Sequence, residues 1–340
     1  MKIRAAFLEK MDKAENAPLR IRDIVLPKLK DNEVLIKVNS CGVCRTDLHI
    51  VEGDLGKMRN GIIPGHEIVG TIEKSGKTVN NVKIGDRIGM AWLYSSCGYC
   101  EYCLSGRENL CKNKEFTGFS KNGGYSEYVI ADGRFLFKLP KGLNNEETAP
   151  LLCSGVIGYR ALKLTHAAPG STVAMFGFGG SAHLTLQLAK RLGYKVAVVT
   201  RNTKHLKLAE KLGADFVLSQ GDSDMRQSLK NIGLENAIVF APSSVPIMDA
   251  LWAIKPGGRV LVSGIHIYGA VTLDYDLQLF HEKTLQSVES YTREDMIEYL
   301  NLAENLSIKP VYDSIKLEDI NSALLDLKNG RVNGVKVIKF

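Results

Sequence analysis

No run of residues in this 340-residue chain is apolar and long enough to cross a membrane. The first fifteen residues, MKIRAAFLEKMDKAE, scatter charges where a secretory signal would carry an apolar core. Membrane and secreted classes are set aside, and the expected location is a cytoplasm in which thiols stay reduced. Internal repeats, low-complexity tracts and blocks of like charge are missing too. The net charge of +7 is spread along the chain with acids between the bases, a solvated surface rather than a nucleic-acid footprint. Cysteine is sparse: of seven, Cys41, Cys44 and Cys153 lie outside a single cluster. In a reducing compartment such thiols read as metal ligands before they read as disulfides. One absence is local, since no Asp or Glu occurs between Glu147 and Glu210.

With 45% hydrophobic and 24% charged residues, the length predicts two soluble globular domains. From Lys2 to about Ala149 short strands alternate with turn signals. Val34, Ile36 and Val38 are expected on one face of a strand, and Gly65, Gly70, Gly76, Gly85 and Gly89 punctuate the chain beyond it. From about Thr172 apolar runs alternate with helical patterns, the signature of βαβ units on a parallel sheet. The runs are Val173 to Phe176, Val196 to Val199, Phe216 to Leu218, Ala237 to Phe240 and Val260 to Val262. A helix from Arg293 to Leu306 and a strand from Val335 to Ile338 return to the first domain. The expected class is α/β: a mostly-β domain (residues 1–153 and 289–340) and a doubly wound parallel-sheet domain (154–288).

Cys97, Cys100, Cys103 and Cys111 are spaced C-x2-C-x2-C-x7-C, enough thiolate for a closed tetrahedral zinc. Four protein ligands leave no place for substrate, so this zinc is structural. Chemistry requires a second, open site. Cys44 and His66 offer two ligands and Cys153 a third, which leaves one coordination place for a substrate oxygen.

The first apolar run ends in Gly177-Phe178-Gly179-Gly180-Ser181-Ala182, a G-x-G-x-x-A turn between strand and helix. Glycines there let the backbone approach a pyrophosphate lying on the helix N-terminus. About twenty residues on, an acid would bond the ribose 2′-hydroxyl of NAD. That place holds Thr200, followed by Arg201, which offers a charge-assisted bond to a 2′-phosphate, with Lys204 as a second charge. NADP(H) is expected over NAD(H).

These residues together resemble the zinc-dependent medium-chain alcohol dehydrogenases. The resemblance runs end to end through CRTDLH, PGHEIVG, GDRIG, the four-cysteine lobe, PLLCSGV and GFGG. GDRIGMAWLYSSCGYCEYC resembles most the bacterial and archaeal branch acting on small primary alcohols. The resemblance implies a GroES-like catalytic domain and a Rossmann cofactor domain, with the active site between them. It implies that Cys44, His66 and Cys153 bind the catalytic zinc while Cys41 does not. It implies that Asp47 holds the other nitrogen of His66, and that Glu67 lies behind the metal as an occasional ligand. Thr46 would take the substrate proton and pass it through the ribose towards His49 at the surface. Arg45 would meet the pyrophosphate, Ile265 would lie near the nicotinamide, and Trp92, Leu93 and Leu55 would wall the substrate pocket.

Zinc lowers the pKa of bound water from 15.7 to about 7 and favours the alkoxide of a bound alcohol in the same way. That alkoxide can expel hydride to the nicotinamide. The partners implied are a small alcohol or aldehyde, with neither nucleic acid nor membrane, and a second or further copy of the chain in a homodimer or homotetramer. Ser181, Ile157 and Val335 depart from the family pattern on the cofactor side, leaving Arg331 or Lys336 to replace an arginine on the pyrophosphate. A polyol or sugar dehydrogenase is the neighbouring reading, but it often needs a carboxylate where Cys153 stands. A zinc-containing structural or redox-sensitive binding protein on the same fold is the reading from another class.

Overall fold

In Lys2–Leu8, Ile3, Ala5 and Leu8 turn inward while Lys2 and Arg4 face water, and this segment forms β1. It pairs antiparallel with β2 (Leu19–Val25). The computed structural model describes residues 1–56 and 61–340. In chain order there follow β3 (Glu33–Val43), α1 (Arg45–Glu52), β4 (Glu67–Ser75), β5 (Arg87–Met90), β6 (Leu93–Ser95), β7 (Glu115–Phe116), β8 (Tyr128–Asp132) and β9 (Leu136–Lys138). β3 is the spine of this part, pairing antiparallel with both β4 and β8. Val34, Ile36 and Val38 are all buried with Lys37 exposed between the last two, as alternation predicts, and β3 pairs with β8 in unbroken register over Glu33–Lys37. The β3–β4 register shifts twice, at Glu73 of β4 opposite Leu35 and Ile36, and at Asn39 of β3 after Val38.

α2 (Ser154–Leu164) leads to β10 (Thr172–Phe176), α3 (Gly180–Arg191), β11 (Lys195–Thr200), α4 (Thr203–Lys211), β12 (Phe216–Ser219), α5 (Met225–Ile232), β13 (Asn236–Val239), α6 (Ser244–Ala253), β14 (Arg259–Val262) and β15 (Thr284–Ser287). The six strands form one parallel sheet in the order β12-β11-β10-β13-β14-β15. This is the doubly wound arrangement, and the order reverses beside β10. The central strands are apolar throughout because helices cover both faces. Val173, Phe176, Val196, Val199, Ala237 and Val260 are fully buried. β15, which no apolar run announces, is a short edge strand whose residues are half-buried or exposed.

The chain returns through α7 (Arg293–Asn305), β16 (Tyr312–Ile315), α8 (Ile320–Lys328) and β17 (Val335–Lys339). β17 pairs with β3, completing a seven-stranded sheet in the order β16-β17-β3-β4-β5-β9, with β8 also on β3. Two units result. One is Met1–Val156 with Ser290–Asn305 and Pro310–Phe340, and the other is Ile157–Glu289 with Leu306–Lys309. The first boundary falls inside α2, and the loop Leu306–Lys309 belongs with the parallel sheet. Among the described residues no helix is long and apolar enough to cross a membrane.

Candidate active site

β3 runs out at Val43, and Cys44, in extended conformation, caps α1. Asp47 stands in the first turn, where a carboxylate suits the free N–H groups of a helix start. Its Oδ2 accepts from the Cys44 N–H at 2.9 Å. Its Oδ1 accepts from the Gly65 N–H and from His66 Nδ1, each at 3.0 Å. Asp47 and His66 are both fully buried. With Nδ1 committed, His66 presents Nε2, a buried nitrogen with no hydrogen-bond partner. Cys153, placed by the buried turn Ala149–Leu152, completes the group. Ligand atoms of Cys44, His66, Cys153 and Glu67 lie within 4.8 Å of one another.

The titration of these groups points to the same conclusion. A hydrogen bond from the Cys153 thiol, working against burial and helped by His66, holds Cys44 well below the ordinary thiol range. Cys153, as the donor of that bond and buried, is pushed well up. Burial alone would lower His66, but the charge and hydrogen bond of Asp47, with Cys44, hold the ring well above its usual value. Burial, followed by the charge of Cys44, raises Glu67. One bare, buried nitrogen and the sulfurs of two half-buried cysteines, held together, fit a borderline-soft divalent cation such as zinc, whose binding displaces such protons.

Glu67 is held by Ser154, whose N–H and hydroxyl both donate to Oε1, at 3.2 and 2.9 Å. Its Oε2 has no partner. Gly42, opposite Glu67 in the β3–β4 pairing, leaves room for it. A Cβ there would stand 1.9 Å from Oε2. Sequence reading picks out Glu67 but not Ser154, because the contact spans 87 residues.

The Thr46 hydroxyl oxygen lies 3.7 Å from the Cys44 sulfur. Trp92 meets the His66 ring edge-on, centroids 5.1 Å apart, and stacks on Phe116 at 4.6 Å. Leu93 is buried and Leu55 half-buried. His49 is not at the surface as the resemblance implies. It is 2% exposed on the inner side of α1, and its Nδ1 lies 2.7 Å from Asp54 Oδ2. Arg45 spends Nη2 on the Leu327 carbonyl at 2.9 Å. Arg331 and Lys336, the suggested substitutes for a pyrophosphate arginine, both bond Asp326, at 2.8 and 2.6 Å.

In the cysteine lobe the sulfurs of Cys97 and Cys103 are 3.8 Å apart, those of Cys100 and Cys103 3.6 Å, and those of Cys111 and Cys97 3.6 Å. All four lie within 4.8 Å of one another and none forms a disulfide. The set fits a tetrahedral zinc with no open position.

In the second unit, Gly177 follows β10 with φ +86°, where a Cβ would press on the Ala241 backbone N at 2.8 Å. Gly179 caps α3, and a Cβ there would meet nothing within 4 Å. The backbone ahead of Gly180 is thus open to a close ligand, while Ala182 is buried one turn in. Such a cradle fits a pyrophosphate. Thr200 ends β11 and is buried, and Arg201 points to solvent at the rim of a cleft of about 670 Å³. Arg226, Asp222 and Asp249 share the cleft. Lys204 does not line it: it stands exposed in the first turn of α4, and the second cation there is Arg226. Arg226 is paired with Asp249 through Nε and Nη2, at 2.8 and 2.6 Å. Ile265 lies 46% exposed in the loop after β14.

Residues 30–141 match the alcohol dehydrogenase GroES-like domain, and residues 180–305 match the zinc-binding dehydrogenase domain. An alcohol dehydrogenase of Geobacillus stearothermophilus is 38% identical over 340 residues, covering 99% of both chains. Among solved structures, a cinnamyl alcohol dehydrogenase of Sorghum bicolor superposes with TM-score 0.91 at 26% identity, over 100% of this chain and 98% of that one. The alcohol dehydrogenase of the archaeon Aeropyrum pernix gives TM-score 0.89 at 30% identity, over 99% of this chain and 100% of that one.

Proposed function

The chain belongs to the zinc-dependent medium-chain alcohol dehydrogenases, and on that premise we propose that it interconverts small primary alcohols and aldehydes with NADP(H), using Cys44, His66 and Cys153 as its catalytic metal site. The observation that carries the reading is the buried, partnerless His66 Nε2 facing two cysteine sulfurs. When bound, zinc supplies a Lewis acid and the nicotinamide a two-electron acceptor.

The chain's own residues do the rest. Asp47 fixes the His66 tautomer, so that Nε2 is the ligand nitrogen. Ser154 holds Glu67 Oε1, and Oε2 is left without a partner beside Gly42. Trp92 packs against the ligand histidine and keeps water from that side. Thr46, beside the Cys44 sulfur, is placed to take the hydroxyl proton and hand it towards His49.

Gly177, Gly179 and the start of α3 receive the pyrophosphate. Thr200 stands where an NAD-selective site would carry an acid, and the guanidinium of Arg201 beside it suits a ribose 2′-phosphate. Seven free thiols support a reducing compartment. The edge strand β15 supports assembly into a dimer or tetramer by pairing with a second copy.

The test is a matrix of alcohols and aldehydes against NADPH and NADH, on the wild type beside Cys44→Ser, both with metal content measured. Turnover by the wild type that Cys44→Ser abolishes supports the proposal. No change in nicotinamide absorbance with any pair overturns it, and a clear preference for NADH overturns the cofactor assignment alone.

A further inference from the structure

The end of α1 is built around His49. Gly53 adopts a left-handed conformation, φ 84°, and its N–H bonds the carbonyls of His49 and Ile50 at 3.0 and 3.3 Å. The turn carries the next N–H, that of Asp54, to the same His49 carbonyl at 3.0 Å. The Asp54 side chain is thereby folded back against the last helical turn, with Oδ2 2.7 Å from His49 Nδ1. Asp54 grips His49 twice, by backbone and by carboxylate. The histidine side chain is 2% exposed and that of the aspartate 23%, so the pair joins the interior to water.

We propose that Asp54 is a positioning residue for proton transfer: it holds His49 with its proton on Nδ1, keeps Nε2 as the base, and forms the outward end of a path that starts at Thr46. The inference rests on the reading of His49 as proton acceptor. An ionised carboxylate can only accept, so the proton shared by the pair belongs to Nδ1 and the lone pair to Nε2. Thr46 and His49 are three residues apart on one helix and share its buried face. In alcohol oxidation the hydroxyl proton passes to the Thr46 oxygen as the Thr46 proton moves on towards Nε2, and the C–H electron pair leaves with the hydride to the oxidised nicotinamide. The imidazolium formed is buried and needs a counter-charge, which Asp54 supplies before the proton leaves to water. Among the described residues, two further cations on or against α1 have partners of their own. Lys328 of α8 lies between Glu15 Oε2 and Glu52 Oε1, at 2.8 and 2.7 Å. Arg45 bonds the Leu327 carbonyl.

The test uses the full-length zinc-loaded enzyme with nitrogen-15-labelled histidine, in the wild type, Asp54→Ala, the near-isosteric Asp54→Asn, Asp54→Glu and His49→Gln. The expected wild-type signal is His49 protonated on Nδ1, with Asp54→Ala moving protons to Nε2. Alcohol-oxidation kcat should fall about 10- to 100-fold in Asp54→Ala and Asp54→Asn, with KM for alcohol and zinc content unchanged. Asp54→Glu should restore most of the rate. An unchanged tautomer together with an unchanged kcat in both substitutions overturns the proposal, even if Asp54→Ala folds poorly. If His49→Gln keeps wild-type kcat at every pH, the reading of His49 as proton acceptor fails, and the tautomer signal alone then decides what Asp54 does.

Discussion

Asp47 Oδ1 lies 3.0 Å from His66 Nδ1, while the second oxygen of the same carboxylate caps α1 through the Cys44 N–H at 2.9 Å. One buried acid therefore orients two of the three ligands proposed for the catalytic metal. Replacing it with asparagine keeps the shape but offers an amide that can donate to Nδ1 and so favour the wrong tautomer. Asp47→Asn is expected to weaken zinc retention about 10- to 100-fold, measured by competition with a chromogenic chelator.

Gly42 faces the free oxygen of Glu67 where a Cβ would stand 1.9 Å away. The neighbour is a side chain pinned by Ser154, so it cannot simply swing aside. Gly42→Ala should displace Glu67, cost about 1–3 kcal/mol in denaturant unfolding, and alter zinc exchange. A stability within error of wild type would refute this.

Arg201 and the Arg226–Asp249 pair share the cleft beyond β11. Arg201→Ala should raise KM for NADPH about tenfold with little change for NADH, since the lost charge-assisted bond reaches only the 2′-phosphate. Equal effects on both cofactors would show that Arg201 does not read that group.

His183, fully buried in α3, is pushed down to about 4 by burial, with the charge of His205 adding to it, against bonds to the backbone of Gly179 and Gly180. The unfolded chain takes up this proton near pH 6.5 and the fold refuses it until about pH 4. Its contribution to stability is whole above pH 6.5 and is lost as pH falls towards 4, about 3 kcal/mol in all. His183→Gln should flatten the stability profile across that window, followed by urea unfolding at several pH values.

The four lobe thiols have no open position among them. Cys103→Ala should lower stability by more than about 2 kcal/mol through loss of the structural zinc. Metal analysis should find one zinc fewer per chain, with the catalytic metal retained.

Much of this was legible along the chain because the signals are local. C-x2-C-x2-C places three thiols within seven residues, a glycine turn between an apolar run and a helix makes a phosphate cradle, and fully apolar strands mark a covered parallel sheet. The edge strand β15 escaped notice because an edge needs no apolar run. Asp54 and Ser154 escaped for another reason. Aspartate after glycine signals only a turn, and serine beside cysteine signals nothing, until folding brings a particular acceptor or donor against them.

Composition and spacing alone therefore determined which residue types could bind metal and dinucleotide, since valence and ligand chemistry belong to the side chains themselves. Tertiary structure decided which nitrogen of His66 is free, that His49 is buried against Asp54, and that Arg226 rather than Lys204 shares the cleft with Arg201. Those outcomes depend on distances between groups far apart in the chain, and hydrogen bonds and charges act only across such distances.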